Sequence, residues 1–176
     1  MDKIELAKRV YSASHLTGSF TLRSGQVSSE YFDKYLFEAN PSLLAEIAKH
    51  LSKLIPDGTD VLAGLEMGGI PLAVALSLHT GIPAAFVRKK PKEYGTRKFA
   101  EGAEVRGKRV CVVEDVVTTG GQIVLSTRDL RGAGANVTDV LCVIERDASS
   151  KDKLQGEGLK LSALFSMNDL HPASWG

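Results

Sequence analysis

The sequence predicts an α/β protein with a central, mostly parallel sheet flanked by helices, and three observations carry that prediction. Short apolar runs recur from Asp60 onward: "DVLAGLE", "PAAFVRK", "RVCVVED", "NVTDVLCVIER" and "LKLSALFSM". Segments of helical spacing, "PLAVALSLHTG" and "GQIVLSTRDLRGAGA", stand between them. Strands that alternate with helices in this way imply right-handed crossovers, and strands apolar on both sides imply a sheet covered on both faces. Finally, 176 residues with 43% hydrophobic and 24% charged content suit one ordinary globular domain, residues 1–176, with no internal repeat or low-complexity linker.

Each element has its own justification. From Asp2 to about Ser14, the spacing of Ile4, Leu6, Ala7, Val10 and Tyr11 predicts an amphipathic helix. "SFTLRSGQVSSEYFDKYLF" places two aromatic and β-branched runs around Ser24-Gly25-Gln26, which predicts a hairpin. "PSLLAEIAKHLSKLI" opens on Pro41 and closes before Pro56-Asp57-Gly58, the clearest helix of the chain. A strand follows at "DVLAGLE", a glycine turn at "MGGI", and a helix that ends near Gly81. After the strand "PAAFVRK", the polar segment from Lys89 to Gly107 is expected to be a long loop. Then come the strand "RVCVVED", a helix ending at Gly132 and Gly134, the strand "NVTDVLCVIER", a polar loop "DASSKDKLQGEG" and a last strand "LKLSALFSM".

Bulk properties exclude several classes. A formal charge of +1 offers no surface for nucleic acid. No run approaches the ~20 apolar residues of a membrane span, and the N-terminus lacks a signal-peptide core, so a cytoplasmic protein is expected. Cys111 and Cys142 lie in Val-rich strands without neighbours at metal-ligand spacing, as small core residues do.

In parallel sheets ligands collect outside the carboxyl ends of the strands. Four such ends carry conspicuous residues: Glu66-Met67-Gly68-Gly69, Arg88-Lys89, Glu114-Asp115 and Glu145-Arg146. The third runs on through Val116 and Val117 into Thr118-Thr119-Gly120-Gly121-Gln122, where a small-residue turn meets a helix N-terminus and forms an anion site. It is neither a Walker loop nor a GxGxxG turn. Ionised acids before such a turn would repel a triphosphate, but they can accept hydrogen bonds from adjacent ribose hydroxyls while the turn holds the sugar's phosphate. By composition alone, a strand ending on solvated acids before an ordinary helix cap fits equally well.

"VCVVEDVVTTGG" closely resembles the phosphoribosyl-pyrophosphate (PRPP) signature of the type I phosphoribosyltransferases, and its Thr-Thr-Gly form is most similar to the orotate-using members. The resemblance covers nearly the whole chain. It implies the type I phosphoribosyltransferase fold with an N-terminal hood, about residues 1–40, and a flexible catalytic loop, about residues 89–107. "RKKPKEYGTRK" resembles that loop, in which Arg88, Lys89, Lys92 and Tyr94 match the residues that engage pyrophosphate; Tyr94 stands where many bacterial members have histidine. Read without the resemblance, the segment is a solvated charged loop. "GLEMGGIP" looks like the family's pyrophosphate turn, often built around a non-proline cis peptide, with Glu66, Gly68 and Gly69 at the diphosphate; some relatives carry lysine where Gly68 stands. "FTLRSGQVSSEYFD" resembles the hood of orotate enzymes, which implies that Arg23, Tyr31 and Phe32 lie near the base, although hairpin aromatics are also ordinary core. Arg146 and Thr118 match the arginine and threonine that meet orotate; an arginine there can also pair with Glu145 or Asp147.

The resemblance implies transfer of ribose 5-phosphate from PRPP to orotate, giving orotidine 5′-phosphate and diphosphate in UMP biosynthesis. Mg²⁺ would be held mainly by PRPP and water and not by direct protein ligands. Lys92, Glu114 and Asp115 would serve the reaction, in a homodimer whose loops reach across to the partner's site. The alternatives are a phosphoribosyltransferase for another base and a PRPP-binding regulatory protein.

Overall fold

Helix α1 (Lys3–Ser14) starts at Asp2, whose carboxylate accepts the Glu5 N–H at 2.8 Å, and buries Leu6, Ala7 and Val10. These coordinates are a computed structural model, which describes residues 1–22, 24–90 and 98–175. Strands β1 (His15–Thr21) and β2 (Val27–Phe32) pair antiparallel, with Leu16 opposite Tyr31. Gly25, at φ 84°, closes their turn and donates its N–H to Leu22 O at 2.8 Å. Glycine adopts that backbone region without the steric cost a side chain brings.

The hairpin ends earlier than its sequence suggests. Residues Lys34–Glu38 form a short helix, α2, capped by Asp33, whose carboxylate accepts the Tyr35 N–H at 3.1 Å. Phe37 is fully buried, and this anchors α2 on the core. Helix α3 (Pro41–Leu51) follows its Asn40 cap, with Pro41 in the first turn where a missing N–H costs nothing.

Strand β3 (Val61–Leu65), helix α4 (Gly69–Thr80) and strand β4 (Ala84–Val87) make the first crossover. The expected long loop after β4 then contains a strand, β5 (Ala100–Gly102), which returns antiparallel along β4 with Val87 opposite Ala100. The apolar residues Phe99, Ala100, Ala103 and Val105 support it by packing into the core on that side. Next come β6 (Arg109–Val117), α5 (Gly121–Gly132) and β7 (Asn136–Glu145). The expected polar loop after β7 is instead helix α6 (Ser149–Gly156), a one-sided helix whose Leu154 is fully buried. Strand β8 (Lys160–Ser166) and helix α7 (Met167–Leu170) complete the order.

The six-stranded sheet runs β5-β4-β3-β6-β7-β8, parallel except for β5. From β3 the chain proceeds outward to β4, and from β6 it proceeds outward in the opposite direction to β7 and β8. Right-handed crossovers therefore place α4 on one face and α5 and α6 on the other. Two core clusters result: one joins α1, α3 and α4 to Leu62, Cys111, Val113 and Phe165, and the other joins α5 and α6 to Ala63, Val112 and Cys142. Both cysteines are buried free thiols, as expected. The direction of winding reverses between β3 and β6, and a crevice opens outside the carboxyl ends of strands at such a point.

Candidate active site

Two turns face each other across the β3/β6 switch point. The first, Glu66–Gly69, contains a cis peptide between Glu66 and Met67, in agreement with the resemblance, and its backbone presses directly on β6. A methyl group on Gly68 would overlap the Asp115 carboxylate, one on Gly69 would overlap Val113 O, and one on Gly64 would overlap Gly69 O. Glycine at these positions is thus a packing requirement. Glu66 is half-buried and donates its N–H to Val87 O at 2.9 Å.

The second turn follows the acids. Glu114 and Asp115 do not end β6 as expected; the strand continues through Val116 and Val117, which pair with Ile144 and Glu145. Thr118 and Thr119 are exposed, and Gly120, at φ 71°, caps α5 without any side-chain hydrogen bond. The first-turn N–H groups of α5 are thus left for an anion, aided by the helix dipole. Gln122 sends its amide back to Ser126 Oγ at 3.2 Å.

Asp115 is fully buried, and its Oδ2 lies 2.6 Å from Lys34 Nζ on α2. Its Oδ1 accepts the Val116 N–H at 2.5 Å, while Glu114 Oε1 accepts the Asp115 N–H at 3.1 Å. Glu38, one helical turn beyond Lys34, is buried and faces Asp115 as well. Burial, then the charge of Asp115, pushes the Glu38 carboxyl up to about 9 and the Glu114 carboxyl up to about 8. A protonated Glu38 can donate its O–H to the Asp115 carboxylate that it faces. On Lys34, burial pulls downward, but the hydrogen bond and charge of Asp115 outweigh it and the ammonium is raised.

A stability prediction follows from the two raised carboxyls. Between the ordinary 4.5 and about 8 or 9 the folded chain holds protons that the unfolded chain has released. Stability therefore falls as pH rises through that window. Calorimetry of the ligand-free protein is expected to give a lower melting temperature at pH 9 than at pH 6, and Glu38→Gln is expected to flatten the slope. A melting temperature independent of pH would contradict the assignment.

Beside the acids, a cavity of about 170 Å³ joins the hood to the sheet. Tyr31, Phe32, Lys34, Thr118 and Arg146 line it. Arg146 is exposed and donates its N–H to Val117 O at 2.8 Å. Its neighbours are engaged elsewhere: Glu145 pairs with Lys151 at 2.8 Å, and Asp147 accepts the Ser149 N–H at 2.9 Å. A planar cation over a half-apolar cavity, opposite aromatic side chains, suits a flat anionic ring. A larger cavity of about 660 Å³ lies near the N-terminal ends of β7 and β8, away from these groups.

The structure thus brings together Glu114, Asp115, Gly68, Thr118, Arg146, Tyr31 and Phe32. Arg88 and Lys89 follow β4; Arg88 Nε lies 4.0 Å from Glu101 Oε1, its N–H donates to Phe99 O at 2.7 Å, and Lys89 is exposed. Arg23, Lys92 and Tyr94 lie outside the described residues. Sequence reasoning missed Lys34 and Glu38. Their trace in the sequence is slight: an Asp33 cap followed by a Lys and a Glu four residues apart, on a helix too short to read beside the preceding strand.

Comparison with known proteins agrees with this geometry. Residues 36–161 match the family described as phosphoribosyl transferase domain. The chain is 51% identical over 168 residues to an orotate phosphoribosyltransferase of a Nocardioides species, covering 96% of this chain and 94% of that protein. It is 45% identical to the orotate phosphoribosyltransferase of Methanocella arvoryzae over 153 residues, 87% of each chain. Among solved structures, the orotate phosphoribosyltransferase of Mycobacterium tuberculosis in complex with PRPP superposes with a TM-score of 0.83 at 31% identity, covering 97% of this chain and 99% of that one. The adenine phosphoribosyltransferase of Leishmania donovani, at 17% identity and a TM-score of 0.69, shares the fold.

Proposed function

Because this chain belongs to the phosphoribosyltransferase family, among the orotate phosphoribosyltransferases, we propose that it transfers ribose 5-phosphate from PRPP to orotate, releasing diphosphate and orotidine 5′-phosphate for pyrimidine synthesis. The observation that carries the choice of base is the cavity in which Arg146 and Thr118 face the aromatic residues of the hood.

The roles follow from position. The uncapped N-terminus of α5 and the Thr118–Gln122 turn take the 5′-phosphate. Glu114 meets the ribose hydroxyls, and Asp115, sealed behind it, adds its charge. Displacement at the anomeric carbon builds positive charge on the ring, and buried acids at that point stabilise it. With its carboxyl raised to about 8, Glu114 can donate as well as accept, and positive charge developing on the ring favours its ionised form. The Glu66–Gly69 turn offers backbone to the diphosphate, with Arg88, Lys89, Lys92 and Tyr94 supplying further donors. Arg146 pairs with the orotate carboxylate, and Tyr31 and Phe32 cover the ring, with Arg23 approaching from the hood.

Among the described residues, no group of three or more His, Cys, Asp or Glu side chains can hold a metal. Asp115 is already paired with Lys34, so the donors present suit a Mg²⁺ carried by diphosphate oxygens and water. Held there, Mg²⁺ would supply positive charge against the leaving diphosphate. No helix among the described residues is long and apolar enough to cross a membrane. A cytoplasmic homodimer with loops shared between sites remains part of this proposal.

The test supplies the protein with Mg²⁺ and PRPP and, separately, orotate, uracil, hypoxanthine and adenine, following each base by its ultraviolet absorbance. Orotate alone is expected to be consumed. Turnover of a purine with orotate untouched would overturn the reading.

A further inference from the structure

Asp115 is sealed from solvent, and a buried carboxylate needs a counter-charge and hydrogen bonds to remain one. Among the described residues the only cation paired with it is Lys34, 2.6 Å away. Two further carboxyls, Glu38 on α2 and Glu114 on β6, crowd the same point. Lys34 is the favourable charge acting on both of them as well.

The ammonium is delivered by a fixed backbone. Asp33 caps α2 and donates its own N–H to Ser14 O at 2.8 Å, while Phe37 is locked in the core. Lys34 also lines the base cavity with Arg146 and Thr118. One side chain therefore touches both the acid assigned to the ribose and the space assigned to the base.

We propose that Lys34 is a positioning residue for ribose recognition: its ammonium keeps the buried Asp115 ionised and in place behind the ribose site and ties the hood to β6. This rests on PRPP being the substrate. Without Lys34, Asp115 is one of three crowded acids lacking a counter-ion. It then takes up a proton or turns to another donor, and in either case its charge is lost from behind the ribose site.

The test titrates Mg²⁺ and PRPP into the full-length protein by calorimetry, with no base present, and adds steady-state kinetics with orotate. Lys34→Met is expected to weaken PRPP binding about tenfold or more, in line with loss of a charge-assisted hydrogen bond. Its kcat at saturating PRPP should fall as well, because a neutral or displaced Asp115 no longer lies near the developing positive charge. Lys34→Arg keeps the charge and should bind PRPP nearly as wild type does.

Unchanged PRPP affinity in Lys34→Met, or a rise confined to the KM for orotate, overturns the proposal. Should Lys34→Met fail to fold, the arginine variant decides, because an equally large loss of PRPP binding there removes the role of charge. A wild-type protein that binds PRPP yet ignores orotate would unseat the functional reading and leave this one standing.

Discussion

Asp115→Asn is expected to lower kcat/KM for PRPP by about 10²-fold or more, with most of the loss in kcat at saturating substrate. The size follows from removal of a preorganised charge at the position where positive charge develops in the transition state. An amide is nearly the same shape, yet it presents one acceptor and one donor where the carboxylate presents two acceptors. Its cost extends beyond the ribose, because Lys34 Nζ, 2.6 Å from Asp115 Oδ2, loses its partner. Lys34 keeps about a third of its side chain in solvent, so this part of the cost is smaller than for a fully buried pair. Steady-state kinetics check the first effect and thermal melting the second. If the pair acts as a unit, Asp115→Asn combined with Lys34→Met should lose less than the sum of the two single losses. An asparagine variant within a few-fold of wild type would remove the acid from the reaction.

Gly68→Ala is expected to reduce turnover by about 10²-fold through geometry alone, the scale of a displacement near 1 Å at a reacting group. Gly68 has φ −69° and ψ −30°, a backbone that alanine accepts without strain. What alanine lacks is space, because its methyl would overlap the Asp115 carboxylate. Either the acid or the whole turn must shift, and overpacking of this kind costs about 1–3 kcal/mol of stability. The substitution changes no charge, so a kcat defect accompanied by a modest fall in melting temperature isolates the placement of Asp115. Wild-type kinetics from a well-folded Gly68→Ala protein would show that Asp115 tolerates displacement.

Several features of the fold were legible from residue pattern. Continuous apolar runs such as Val110–Val113 marked strands buried on both faces, and the glycines at 68, 69, 120 and 121 marked the turns that follow them. The strand-end positions of Glu66, Arg88, Glu114 and Arg146 in the sequence point to one rim. Elements with too little sequence of their own were not legible. Helix α2 has five residues and sits directly after a strand, so the aromatic run masked it. Strand β5 has three, and its pairing with β4 is non-local. Helix α6 is polar on all but one side and owes its placement to Leu154. The Lys34–Asp115 contact was hidden for another reason. Ion pairs between distant segments leave no periodic trace, and only folding brings α2 against β6.

The pairing of β4 with β5 has a consequence for how this chain tolerates change. Arg88 N–H to Phe99 O, and Val87 opposite Ala100, fasten both ends of the segment between them to the edge of the sheet. Backbone groups make this fastening, so it survives exchange of the Arg88 side chain, and the edge of the sheet keeps its course while the cation at the end of β4 is varied.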